Sequence, residues 1–168
     1  MQFANVWERV SDAAGDEIAL INGNVKLSWS SFDNKAAKVA TILEEHGLTS
    51  NSKVGIYLHN SNEYLEAQYG VFKIEGVPIN VNYRYKESEL IYLLDNSDAE
   101  AIFFQGCYAK RIKAIKEQLP KIKAFIQIDD GTEVLMEGAI DYENSISSSK
   151  PQNRFNRTED NIYMLYTG

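Results

Sequence analysis

The chain has 168 residues and a formal net charge of −7, with 44% hydrophobic and 24% charged side chains. That is enough length for one domain with a sizeable core, and the composition is globular rather than disordered. An acidic balance with no offsetting basic face excludes a nucleic-acid-binding surface, and nucleic acid is not expected as a partner.

Phe3, Val6, Trp7 and Val10 recur with helical spacing, so the chain opens on an amphipathic helix stopped by Gly15. Two short apolar runs, 17–21 and 25–29, flank Asn22-Gly23-Asn24 and predict a β-hairpin whose Asn-Gly supplies the positive φ. A helix follows from about Ser30, with Phe32, Ala36, Val39, Ala40 and Leu43 on one face and Gly47 as its C-terminal cap. The period then changes. Residues 54–58 form a near-continuous apolar run, the mark of a strand buried on both faces. Asn60 or Ser61 caps a helix reaching about Lys73, ended by Gly76, and 77–81 is the next strand, with Pro78 confined to its start or edge. A helix over 87–96 with Leu90, Leu93 and Leu94 inward, a strand over 101–104, a helix over 108–119 ended by Pro120, and a strand over 124–128 complete the rhythm. Alternation of this kind predicts βα crossovers and a mostly parallel sheet, preceded by the N-terminal helix and hairpin. Asp129-Asp130-Gly131 reads as a turn. Residues 145–157, rich in Ser, Asn, Pro and charge, read as an exposed connector into a final strand at 161–168.

Chemistry-bearing motifs are mostly missing. There is no G-x-x-x-x-G-K-[ST], no G-x-G-x-x-G and no G-x-S-x-G. Cys107 is the only cysteine, which rules out an internal disulfide, and with His46 and His59 it makes no metal-ligand spacing. Cys107 is expected half-buried at a helix start, His59 at a strand end as structural, and the pair Asp129-Asp130 as turn chemistry rather than a metal site. The basic stretch Lys110, Arg111, Lys113, Lys116, Lys121 and Lys123 is expected to be a solvated helix face and the turn after it. No signal peptide opens the chain and no stretch nears the roughly 18 apolar residues of a transmembrane helix, so a reduced, cytoplasmic setting is expected. The feature with most functional content is the close of the chain, an apolar run ending on Thr167-Gly168. A strand running into a hydroxyl and glycine is how backbone N–H groups are presented to a phosphate.

Three segments, in order, carry a resemblance. They are Val25-Lys26-Leu27-Ser28-Trp29-Ser30-Ser31-Phe32, the long run from Glu63 to Leu94, and Thr158 to Gly168 with its acidic lead-in. Together the chain resembles the AMP-forming acyl-CoA synthetases of the adenylate-forming superfamily, over about the first third of such an enzyme. The wording after Asn80 is closest to bacterial fatty-acid and steroid-side-chain ligases. The resemblance implies an incomplete N-terminal domain of such an enzyme. It divides into a lead-in (1–50), a βα-alternating part (51–130), a connector (131–160) and a strand into a truncated phosphate loop (161–168). It implies a small-molecule acid, ATP, Mg2+ and coenzyme A for the full-length enzyme, with none bound productively by this portion alone. Only Thr167 and Gly168 carry over, as the edge of the phosphate site; no catalytic or metal-binding residue does. A marginal chain, prone to self-association through apolar surface left uncovered, is also expected. The alternatives are a stand-alone α/β binding or scaffold module, and a luciferase-like or amino-acid-adenylating relative.

Overall fold

A computed structural model describes residues 2–157 and 162–166. Helix α1 (Phe3–Ala14), strands β1 (Ile18–Asn22) and β2 (Val25–Ser28) and helix α2 (Trp29–Glu45) form the lead-in. Then come β3 (Lys53–Tyr57), α3 (Asn62–Lys73), β4 (Val77–Asn80), α4 (Glu87–Asn96), β5 (Ala99–Gln105), α5 (Ala109–Ile115) and β6 (Ala124–Ile128). Strand β7 (Ile140–Asp141), α6 (Tyr142–Ser148) and β8 (Met164–Leu165) follow. The α/β alternation read from the sequence is therefore the observed fold. Six strands lie in the order β7-β6-β5-β3-β4-β8, and every neighbouring pair is parallel.

Both faces of the sheet are covered, which is why β3, β5 and β6 read as unbroken apolar runs. Val54, Ile56, Phe103 and Ile126 face one layer, against Val39 and Leu43 of α2, Val71 of α3 and Ile146 of α6. Ile79, Ile102, Phe104 and Phe125 face the other, against the leucines of α4 and Ile112 and Ile115 of α5. Each such side chain taken from water contributes roughly 1.5–3 kcal/mol. Outside the first layer, α1 and the hairpin add an aromatic cluster in which Trp7 meets Tyr69 edge-on at 4.9 Å and Phe32 lies 5.1 Å from Tyr69. Helices α2 and α3 approach closely at Gly70, where a methyl group would overlap the Val39 side chain and crowd the Ala36 carbonyl.

Pro78 sits where its missing donor does least harm. Val77 and Val81 donate to Ser52 and Ile56, so the alternate residues point their amides toward β8, and β8 pairs only from Ile79 onward. Gly76 ends α3 as expected, donating to the Val71 carbonyl at 2.9 Å in a space where a Cβ would meet Val71 and the Ser52 carbonyl, while Glu75 before it takes the left-handed conformation (φ 57°). Two local expectations need correcting. In the hairpin Asn22 pairs with Val25, so the turn is centred on Gly23-Asn24, and Gly23 alone takes a positive φ (58°), as a type II′ turn requires. Finally, 145–157 is not a plain exposed connector. Asp141 caps α6 by accepting from the Asn144 amide, Tyr142 is fully buried and Arg157 is buried too.

That segment works as a strap. From β7 at one edge the chain must reach β8 at the other, and it does so along α2, pinned bond by bond. The Tyr142 hydroxyl donates to Glu66, Lys38 Nζ to the Ile146 carbonyl (2.9 Å), Thr41 Oγ1 to the Lys150 carbonyl (2.8 Å) and the Gln152 amide to the Ala37 carbonyl (3.0 Å). Its far end enters a cluster of three carboxylates and three cations. Arg154 bridges Asp12 (2.8 Å) and Asp33 (2.9 Å), Lys73 bridges Glu8 and Asp33 (2.7 Å each), and Arg157 reaches Glu8 (3.0 Å). Burial pushes the Asp33 carboxyl up, but bonds from Arg154, Lys73 and Tyr69 outweigh it and hold the group below the ordinary carboxylate value.

Two outcomes follow. Gly70→Ala should cost about 2 kcal/mol by overpacking, read as a lower urea midpoint at unchanged slope. Because Asp33 is depressed in the folded state, its contribution is whole above 3.8 and is lost as pH falls through the folded value. Between about pH 6 and about pH 3 the urea midpoint should thus fall more steeply for the parent than for Asp33→Asn.

Candidate functional site at the carboxyl edge of the sheet

In open α/β sheets, ligands bind outside the carboxyl ends of the strands where the winding reverses. Here the chain passes from β3 outward to β4 and then back to β5 on the other side of β3, so the reversal lies between β3 and β5. The structure fills that crevice with its own side chains. Gln105 Oε1 accepts from the His59 amide (2.9 Å) and lies 2.8 Å from His59 Nδ1, while the Tyr108 hydroxyl lies 2.9 Å from Nε2. Both ring nitrogens of His59 are engaged, in keeping with its structural reading. Beside it the Tyr57 hydroxyl donates to the Tyr85 carbonyl (2.7 Å) and accepts from Arg111, which also donates to the same carbonyl (2.9 Å). Arg111 is thus not part of a solvated face. Elsewhere in the stretch Lys110, Lys113, Lys121 and Lys123 are exposed, with Lys110 paired to Glu133, Lys121 to Asp95 and Asp98, and Lys123 to Glu100.

Cys107 is exposed rather than half-buried, because a 3₁₀ turn (Gly106–Tyr108) after β5 buries its two neighbours and turns its side chain outward. What burial it has, and then the Asp130 carboxylate, push its thiol up to about 11, which leaves little thiolate for nucleophilic chemistry. Asp129 and Asp130 do serve the turn: Asp129 accepts from the Gly131 amide (2.8 Å), and Asp130 from the amides of Cys107 (3.0 Å) and Thr132 (3.1 Å).

Open space lies one strand further on, at the carboxyl ends of β3, β4 and β8. A cleft of about 510 Å³ is lined there by Asn60, Tyr64, Asn80, Asn82, Tyr83 and Tyr166, with no formally charged side chain. Tyr64 comes from the first turns of α3, which Ser61 caps, and its hydroxyl donates to Asn80 Oδ1 (3.0 Å) at the end of β4. It also lies 3.1 Å from the Tyr163 hydroxyl. Burial and the Tyr163 contact push the Tyr64 phenol well up, so it stays protonated near neutral pH. Tyr166 donates to Asn96 Oδ1 (2.8 Å) and is the last described residue before Thr167 and Gly168, which lie outside the described residues. Sequence reading missed Tyr64, Asn80 and Asn82; the available signal was a polar or aromatic residue just past each buried run. The cleft offers neutral donors and aromatic faces next to the chain that leads into Thr167-Gly168. It can seat an organic ligand, whereas a phosphate would need amides from the loop itself.

This is the architecture of an adenylate-forming enzyme's N-terminal region. The family model of AMP-binding enzymes matches residues 7–168. The chain is 36% identical to 3-oxocholest-4-en-26-oate–CoA ligase of Rhodococcus rhodochrous, over all of this chain and 31% of that protein. It is 34% identical, with the same coverage, to a medium/long-chain-fatty-acid–CoA/3-oxocholest-4-en-26-oate–CoA ligase of Mycolicibacterium smegmatis. Among solved structures, an anthranilate CoA ligase in complex with anthranoyl-AMP aligns with TM-score 0.84 at 19% identity, over 92% of this chain and 29% of that one. A fatty acyl CoA synthetase of Mycobacterium tuberculosis aligns with TM-score 0.84 at 17% identity, over 98% and 32%. The chain belongs to the AMP-binding enzyme family, as the three sequence segments indicated, and spans about a third of the length of the curated relatives it matches.

Replacing Tyr64 with Phe should cost about 1 kcal/mol, the net worth of its hydroxyl's bonds, and loosen the contact to Tyr163. Chemical denaturation of the variant checks the first part, and hydrogen exchange across 162–166 the second.

Proposed function

We propose that the chain is the N-terminal part of an AMP-forming acyl-CoA synthetase that activates a fatty or related carboxylic acid. The observation that carries this is similarity to acid–CoA ligases over the whole chain, together with an open cleft beside β8 that Tyr166 helps to line. In this reading Thr167 and Gly168 are the first corner of a loop holding the ATP phosphates through backbone N–H groups. The acid's carboxylate oxygen attacks the α-phosphorus of ATP, giving acyl-adenylate and pyrophosphate. The sulfur of coenzyme A then forms the thioester bond as AMP leaves. Adenylation is required because a free carboxylate is a poor electrophile.

The part of this chemistry that the described residues supply is positional: a neutral cleft and a strand aimed at it. Among the described residues no group of three or more His, Cys, Asp or Glu side chains is arranged to hold a metal ion. No helix among the described residues is long and apolar enough to cross a membrane, and the reading places the protein in the cytoplasm. Within the proposal the chain divides into a lead-in (1–50), a βα-alternating part (51–130), a connector (131–160) and a strand into the phosphate loop (161–168). Exposed Ile21 and Val25 on the hairpin, with Ile162 and Leu165 at the sheet edge, give the isolated chain apolar surface for self-association.

The 168-residue chain should give no ATP–pyrophosphate exchange with a fatty acid, and turnover would sink the proposal. The gene should read on in frame past Gly168 through further glycines and Ser/Thr to a Pro-Lys-Gly. A stop codon there, with a monodisperse and cooperatively folding product, would identify a stand-alone α/β module instead.

A further inference from the structure

We propose that Arg111 is a positioning residue for the open cleft. From α5 it reaches over the end of β3 and, with Tyr57, fixes the turn after β4 that forms one wall of that cleft. What the cleft binds rests on the function proposed above; the clamp does not.

The wall is one short stretch of chain. Asn80, Val81, Asn82, Tyr83 and Tyr85 all line the cleft, so its width is set where β4 gives way to α4. The sheet holds this stretch only as far as Val81, whose amide donates to the Ile56 carbonyl at 3.1 Å. Beyond that point the amides are used locally. Arg84 donates to Asn82 Oδ1 (3.0 Å), Tyr85 to the Asn82 carbonyl (2.9 Å) and Lys86 to Glu89 (2.8 Å). An Asn-led turn of this kind has a fixed internal shape, but its own bonds do not set its orientation toward the sheet.

Two carbonyls supply that orientation. The Tyr57 hydroxyl lies 3.2 Å from the Tyr83 carbonyl oxygen and donates to that of Tyr85 at 2.7 Å, where Arg111 Nη1 donates as well, at 2.9 Å. Among the described residues, no other hydrogen bonds tie 82–85 to another element. Packing of Tyr85 against the second core layer, and of the Tyr83 ring 4.8 Å from His59, adds adhesion; the bonds to carbonyls add direction. Arg111 Nη1 also donates to the Tyr57 hydroxyl. A phenol that accepts from a guanidinium must aim its one proton elsewhere, and here it aims at the turn. Tyr57 is fully buried on β3, and the Arg111 side chain is 29% exposed with Glu87 of α4 3.7 Å from Nε. The crevice between β3 and β5, where such sheets usually seat a ligand, thus holds the fastening for a cleft one strand away.

The test is millisecond-resolved hydrogen exchange and fluorine NMR of the fluorotyrosine-labelled 168-residue chain, comparing the parent with Arg111→Met, Arg111→Lys and Lys110→Met. Arg111→Met should speed exchange of the Arg84 and Tyr85 amides about fivefold, the loss of one hydrogen bond, while amides of β3 and β5 keep their rates. The Tyr83 and Tyr85 resonances should move, and that of Tyr142 on α6 should not. Arg111→Lys, whose ammonium can still donate to the Tyr85 carbonyl, should bring both readouts back toward the parent. Lys110→Met removes an exposed neighbouring charge paired with Glu133 and should change neither. Unchanged readouts in Arg111→Met, an equal rise throughout the sheet, or the same change in Lys110→Met would overturn the proposal. Should Arg111→Met fail to fold, Tyr57→Phe poses the same question, with a rise at the same two amides expected and no rise overturning it. No ligand enters either measurement, so failure of the ATP reading in the pyrophosphate-exchange assay would leave this result standing, and the reverse also holds.

Discussion

Every parallel strand in a sheet needs a crossover, and the longest crossover here runs from β7 at one edge to β8 at the other. The rest of the candidate site depends on how that passage is made. A helix of matching length would be the usual solution. This chain instead lays a seven-residue helix and an irregular strap along α2, and fastens them by single bonds from α2 and α3 side chains to strap atoms. The ionic cluster at its far end gathers Glu8 and Asp12 from α1, Asp33 from α2, Lys73 from α3 and Arg154 and Arg157 from the strap. Four segments meet there, and the fastening is complete only when all are in place.

The balance of such a cluster favours specificity over stability. Desolvating ions cancels much of their mutual attraction, and a well-packed apolar substitute can be as stable. Lys73, with its side chain 1% exposed between two carboxylates, has no tolerable alternative arrangement. A strap docked in another register would leave that ammonium or its partners unpaired in the interior, a loss of several kcal/mol. The aromatic layer around Trp7 and Tyr69 supplies the adhesion between α1 and the two helices beneath it; the charges supply the register. Glu66 plays the same part at the near end. Burial pushes its carboxyl up, while the Tyr142 hydroxyl and Lys35 pull it back, so α6 is seated at one point on α3.

The sheet was legible from sequence because its strands are buried on both faces and can only be apolar runs, and because α4 repeats Leu90, Leu93 and Leu94 on one side. Segment 140–157 was not legible for the opposite reason. Its structure comes from partners such as Thr41 for Lys150 and Asn5 for Arg157, far away in the chain, and its Ser- and Asn-rich wording satisfies every local rule for a loop. One local clue did exist, an Asp141 cap ahead of Tyr142 and Ile146 at helical spacing. The candidate site divides the same way. Thr167 and Gly168 announce themselves by residue type, whereas Tyr64 and Asn80 become a pair only once α3 folds back over the end of β4.

Charge sharpens what the cleft can do. On the proposed function an acidic chain would receive a triphosphate against net repulsion, yet at physiological salt that field is screened within about 8 Å. Local groups therefore decide, and locally the lining is neutral. A neutral lining neither attracts phosphate strongly nor expels a carboxylate, which is compatible with the two anions of the proposed reaction. The attraction has to come from amides fixed at short range, whose value depends on placement to a fraction of an ångström. The less charge the cleft contributes, the more its chemistry rests on where β8 lies. That in turn rests on the strand's pairing with β4 and on the bonds of its flanking tyrosines to Tyr64 and Asn96.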